Sequence, residues 1–133
     1  MLVKSADVGE VLAAGATVVT VGDIDVTQVY ENFTGPAVAA LIDIGLVPNG
    51  PAAGEVMTLE NLTVPHGRLP VNTAGGNLAE GFVHGIGVLL EAARQIRGQS
   101  PNQVADARVS LLLGGPMAPQ VGAVLFGSAA ALG

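Results

Sequence analysis

PVNTAGGNLAEGFVHGIGVLLEAARQIRG, residues 70–98, sets a glycine turn directly against an amphipathic helix. The turn is Asn72-Thr73-Ala74-Gly75-Gly76. Paired glycines mark backbone that adopts conformations closed to other residues or meets another group closely. Beyond it, Phe82, Ile86, Leu89, Ala93 and Ile96 recur at alternating spacings of four and three, which predicts a helix over residues 80–97 with one apolar face. Glu91, Arg94, Gln95 and Arg97 fall on the other faces, Glu91 with Arg94 reads as a surface pair, and Gly98 stops the helix. On this reading His84 sits in the first helical turn. A glycine-lined turn, a helix N-terminus and an imidazole together suit a carbonyl or carboxylate oxygen, so this stretch is the candidate chemical site.

Working outward, residues 5–14 read as a short helix capped by Ser5 and stopped by Gly15. Residues 16–21 have strand chemistry, and residues 23–30 alternate apolar and polar positions, predicting a strand that ends at Tyr30. Thr34-Gly35-Pro36 opens a helix that runs to Ile44, with Gly45 as its stop. Four prolines between Pro48 and Pro70 predict a long loop, broken by a short strand over residues 56–59. Two apolar strands follow, over residues 108–113 and 121–126, separated by Gly114-Gly115-Pro116-Met117-Ala118-Pro119. The order of elements, closing on a strand pair, predicts an α/β layered fold with a mixed sheet, as one domain over residues 1–133.

Composition narrows the functional classes. Half of the residues are apolar and 12% are charged, which argues for a folded core. With no Trp and 19 Gly, the apolar mass comes from small and aliphatic side chains, and so apolar a chain is expected to bury surface against a partner. A net charge of −6 and five scattered cations leave no basic patch for nucleic acid. The absence of Cys excludes a disulfide framework, a thiolate metal site and a cysteine nucleophile from this chain. No uninterrupted apolar run is long enough for a membrane span, and the N-terminus lacks a secretory pattern, so the expected location is cytoplasmic. Asp23 and Asp25 read as turn and strand-edge residues rather than metal ligands, and His66 as solvated or interfacial. No metal is expected.

Three runs taken in order resemble the C-terminal half of thiolase-like proteins. They are residues 23–34 (DIDVTQVYENFT), residues 69–85 (LPVNTAGGNLAEGFVHG), and residues 91–98 (EAARQIRG) with Asn102-Gln103-Val104. The pattern is most similar to the lipid-transfer or sterol-carrier thiolase branch, which includes steroid side-chain aldolases. The resemblance implies half of a five-layer α-β-α-β-α sandwich, one βαβαβαββ unit whose companion half would supply the family's nucleophilic cysteine. It therefore implies a hetero-oligomer with a thiolase N-terminal half or a larger thiolase subunit, and an OB-fold, zinc-containing protein as a further partner.

Three departures from true thiolases bear on the chemistry. Tyr30-Glu31-Asn32-Phe33 stands where the family has Asn-Glu-Ala-Phe, Gly81-Phe82-Val83 replaces Gly-His-Pro, and Leu112-Leu113-Gly114 replaces Cys-x-Gly. What remains suits retro-aldol cleavage of a bulky β-hydroxyacyl-CoA better than thiolysis, because that reaction needs a base and an enolate-stabilising donor but no acyl-cysteine. The resemblance gives proton transfer to Tyr30, while His84 would donate to the enolate oxygen. Asn72, Gly75, Gly76 and Gly115 would bind substrate, the glycines by letting backbone N–H groups approach, although turn closure accounts equally well for Asn72. Coenzyme A enters as part of the substrate and no separate cofactor is expected. Two alternatives stand beside the aldolase: an acyltransferase or thiolase subunit with its nucleophile on another chain, and a non-catalytic acyl-CoA-binding or structural half.

Overall fold

The structure, a computed structural model, describes residues 2–5, 19–115 and 121–132. Its centre is a mixed four-stranded sheet of β1 (Leu2–Ser5), β2 (Val26–Val29), β3 (Val109–Gly114) and β4 (Gly122–Gly127), in the order β1-β4-β3-β2. β2 runs parallel to β3, aligning Gln28 with Leu112 and Val29 with Leu113, and the other pairings are antiparallel. The mixed α/β architecture expected from the element order is therefore present. All four residues of β2 are buried, as expected of a strand covered on both faces.

One face of the sheet carries α1 (Thr34–Asp43), with Pro36 in its first turn. Gly45, at φ +80°, ends the helix where a side chain would be strained, its amide donating to the Ile42 carbonyl. Val29, Leu111 and Leu113 of the sheet pack with Ala37, Leu41, Val47 and Leu69 in the larger core cluster. Full burial of one such aliphatic side chain contributes about 1.5–3 kcal/mol. The opposite face carries α5 (Ile86–Arg97), whose Val88 and Ala92 pack with Leu112 and Phe126. Gly98 closes α5 at φ +65°, with Gln99 donating back to the Arg94 carbonyl.

Several expected elements differ from what is observed. Of the helix expected over residues 5–14 only Ser5 is described, and it ends β1; residues 16–18 of the strand expected over residues 16–21 also lie outside the described residues, and Val21–Asp23 forms a single 3-10 turn. The Asp23 carboxylate accepts from the Thr20 hydroxyl at 2.7 Å and the Thr20 amide at 2.8 Å, which holds its pKa below the ordinary carboxylate value. Asp25 accepts from the amides of Arg108 and Val109, both at 2.8 Å, and so aligns the start of β3. Both are the turn and edge roles expected of them.

The loop between Pro48 and Pro70 holds no strand over residues 56–59. It contains a 3-10 turn and two one-turn helices, α2 (Ala53–Val56) and α3 (Leu59–Leu62), because Thr58 caps α3 by accepting from the Asn61 amide. The helix expected over residues 80–97 is also shorter. A one-turn helix, α4 (Gly76–Ala79), precedes an irregular stretch with left-handed backbone at Gly81, Phe82, His84 and Gly85, and α5 starts only at Ile86. His84 therefore lies before the helix, not in its first turn. A last short helix, α6 (Ala129–Leu132), follows β4.

Candidate active site

The free edge of β2 organises the site. The Thr27 amide donates to the Pro70 carbonyl and the Asn72 amide donates back to Thr27, so the chain entering the glycine turn extends the sheet by one bridge, between Thr27 and Val71. Asn72 then continues the ladder with its side chain. Its Oδ1 accepts from the Val29 amide at 2.8 Å and its Nδ2 donates to the Val29 carbonyl at 3.0 Å. A backbone φ of +49° at Asn72 turns the chain away, a conformation that Asn tolerates better than most residues.

Beyond Val29 the strand delivers Tyr30 to a recess of about 350 Å³ between the end of the sheet and the start of α5. Tyr30, His84, Gly85, Leu89, Leu112 and Gly115 are among its walls. Phe82 stands between the two polar rings, its centroid 6.3 Å from Tyr30 and 5.3 Å from His84. Gly85 leaves room for the phenol, since a Cβ there would come within 3.1 Å of Tyr30 Cδ2. Neither the Tyr30 hydroxyl nor the His84 imidazole has a hydrogen-bond partner among the described residues.

Of the six residues singled out in the sequence, Tyr30, His84 and Gly115 line this one recess. Asn72, Gly75 and Gly76 do not line it and build the adjacent turn instead. There Gly75 at φ +86° and Gly76 at φ +65° shape the start of α4, and the Gly75 amide donates to the Asn72 carbonyl at 2.8 Å. The turn's outward-facing amide is met by the protein itself, because Glu31 Oε1 accepts from the Asn77 amide and Glu31 Oε2 accepts from Asn77 Nδ2 at 3.1 Å. Among the described residues no group of three or more His, Asp and Glu is placed to hold a metal ion.

Behind the turn lies a buried polar cluster that the helical spacing concealed. Glu91 is fully buried, not a surface partner of Arg94, which pairs instead with Glu80 at 3.5 Å. Glu91 Oε1 accepts from Thr73 Oγ1 at 2.5 Å, Ser100 Oγ at 2.6 Å and Gln95 Nε2 at 3.0 Å. Gln28 of β2 and Gln95 of α5 both donate to Thr73 Oγ1, and Asn102 Nδ2 donates to the Thr73 carbonyl. The signal was available in Glu91 and Gln95, two hydrogen-bonding side chains one helical turn apart, but nothing local in the sequence shows that their side of the helix faces the sheet.

A family model described as thiolase C-terminal domain-like matches residues 2–127. The chain belongs to that family. Its thiolase-like domain is 33% identical over 106 residues to the 17-hydroxy-3-oxo-4-pregnene-20-carboxyl-CoA lyase of Mycobacterium tuberculosis, covering 80% of this chain and 27% of that protein. It is 36% identical over 103 residues to the steroid side-chain-cleaving aldolase of Thermomonospora curvata, covering 77% of this chain and 26% of the relative. Among solved structures, an Ltp2-ChsH2(DUF35) aldolase superposes with a TM-score of 0.70 at 33% identity, over 82% of this chain and 28% of that one. The thiolase-like domain thus spans about a quarter of the length of these relatives. No helix among the described residues is long and apolar enough to cross a membrane.

Proposed function

We propose that this chain is the C-terminal half of a thiolase-like acyl-CoA aldolase that cleaves a bulky, steroid-type β-hydroxyacyl-CoA by a retro-aldol reaction. The observation that carries the reading is the convergence of Tyr30 and His84 on one recess, in a chain without cysteine whose relatives bear the names of a lyase and an aldolase. Tyr30 takes the proton of the substrate hydroxyl, the bond between the carbinol carbon and the α-carbon breaks, and its electron pair passes into the thioester as an enolate. His84, with the backbone around Gly115, donates to the enolate oxygen until the α-carbon is reprotonated. The products are a ketone and a shortened acyl-CoA. Coenzyme A is part of the substrate, and the reaction needs no resident cofactor.

The remainder of the fold comes from a thiolase N-terminal half or larger thiolase subunit. Its docking face is the outer side of α5, where Ile86, Leu89 and Leu90 stay between 37% and 50% exposed beside the exposed Phe82 and Val83. An OB-fold, zinc-containing protein is a second partner in the same cytoplasmic assembly.

The test is Tyr30→Phe in this chain assembled with its companion thiolase half, with 17-hydroxy-3-oxo-4-pregnene-20-carboxyl-CoA, the compound in the name of one relative. Loss of the general base is expected to lower kcat by about 10²–10⁴-fold. Turnover equal to that of the parent removes the aldolase reading, and an acyl-cysteine trapped on a partner chain redirects it to acyl transfer.

A further inference from the structure

Tyr30 is held by its neighbours more firmly than by its own side chain. Its amide donates to the Leu113 carbonyl of β3 at 2.9 Å, the residue before it is gripped through both backbone groups by Asn72, and the residue after it is gripped by Asn77. The second grip is the unusual one. Glu31 follows Tyr30 directly, and both of its carboxylate oxygens are engaged by a single residue across the glycine turn, Oε1 by the Asn77 amide and Oε2 by Asn77 Nδ2. Gly76 makes the approach possible, because a Cβ at that position would overlap the Glu31 carboxyl group. A glycine without a side chain and a carboxylate filling its place are two halves of one fitting.

We propose that Glu31 is the positioning residue for Tyr30: clamped on Asn77 while Asn72 clamps Val29, it fixes the end of β2 from the far side and so holds Tyr30 in the wall of the recess that His84 also lines. This rests on the aldolase reading for what Tyr30 does, but not for how Tyr30 is held. The carboxylate acts through its two acceptor oxygens, not through charge on the substrate. Asn77 Oδ1 is buried and has no hydrogen-bond partner among the described residues, so a Gln at position 31 would be met by rotating the Asn77 amide. The backbone bond to the amide oxygen would survive, and the side-chain bond would re-form with donor and acceptor exchanged. Alanine would keep neither.

The experiment compares Glu31→Ala, Glu31→Gln, Asn77→Ala and Tyr30→Phe in this chain assembled with its companion thiolase half, assayed with 17-hydroxy-3-oxo-4-pregnene-20-carboxyl-CoA. Glu31→Ala is expected to lower kcat by about tenfold to a hundredfold, as misplacing a reacting group does, with KM within about twofold of the parent. Glu31→Gln should recover most of that loss, and the shape of the kcat pH profile should be common to the parent and both variants. Asn77→Ala, which deletes only the side-chain bond, should lose less, and it carries the test if Glu31→Ala does not fold. A readout independent of turnover is the fluorine NMR signal of a fluorotyrosine at position 30, expected to shift or broaden in Glu31→Ala and to return in Glu31→Gln.

Parental kcat and an unmoved resonance in Glu31→Ala overturn the proposal. So does a Glu31→Gln variant as slow as Glu31→Ala, which would mean that the charge itself acts. Tyr30→Phe separates the two readings: if it turns over like the parent, the aldolase mechanism falls while the NMR comparison still decides the clamp. If Tyr30→Phe is slow and Glu31→Ala is fast, only the clamp falls.

Discussion

The two sides of α5 invert the usual distribution of polarity. The side against the sheet carries Glu91 and Gln95, 0% and 1% exposed, flanked by Val88 and Ala92. The outer side carries Ile86, Leu89 and Leu90, all more than a third exposed. Burial on the inner side follows hydrogen bonding, since each donor around Glu91 Oε1 comes from a different stretch of chain: Thr73 from the glycine turn, Gln95 from the helix and Ser100 from the loop beyond it. The lesson is that a buried carboxylate here ties loops to a helix, while the more apolar side of the same helix stays exposed.

The sharpest way to break this contrast is Glu91→Ala, which would leave the Thr73 and Ser100 hydroxyls and the Gln95 amide without their shared acceptor. A destabilisation of about 3 kcal/mol or more is expected in urea unfolding, with Glu91→Gln losing less. A smaller effect is expected from Gly76→Ala, where the left-handed backbone and the Glu31 carboxyl both oppose a Cβ; the cost should be about 1–3 kcal/mol by the same measurement. On the outer side, Leu89→Ser is expected to shift stability by only about 0.5 kcal/mol, as exposed substitutions do, yet to weaken association with the companion half in sedimentation or co-purification. Equal destabilisation from Leu89→Ser and Glu91→Ala would erase the distinction between the two sides.

The smallest effect lies away from the helix. The Thr20 hydroxyl and amide depress the Asp23 pKa, so the carboxylate contributes stability above its ordinary value of 3.8 and loses it as the pH falls through the lower native value. Thr20→Ala should return the Asp23 titration, followed by NMR, toward that ordinary value.

Much of the architecture was legible locally. The helix from Thr34, its stop at Gly45 and the paired strands β3 and β4 follow from a proline in the first helical turn, a glycine stop and β-branched or aliphatic runs. The region around residues 80–85 was not legible, because apolar spacing continues through it while glycines at 81 and 85 let the backbone go left-handed. Periodicity registers side chains, and the interruption is in the backbone. The candidate site divides in the same way. Tyr30, His84 and Gly115 were visible as residue types within motifs, whereas the Glu31 clamp required knowing that residue 31 meets residue 77 across the turn.

The amino-acid sequence alone settled the family and the mixed α/β class, because these reside in motifs and in short-range backbone preferences. Tertiary structure alone decided which side of α5 is inside, that Glu91 is buried, and that Asn72 and Gly76 brace the strand end rather than line the recess. Those outcomes depend on contacts between residues dozens of positions apart, where hydrogen-bond satisfaction outweighs the hydropathy of any one segment.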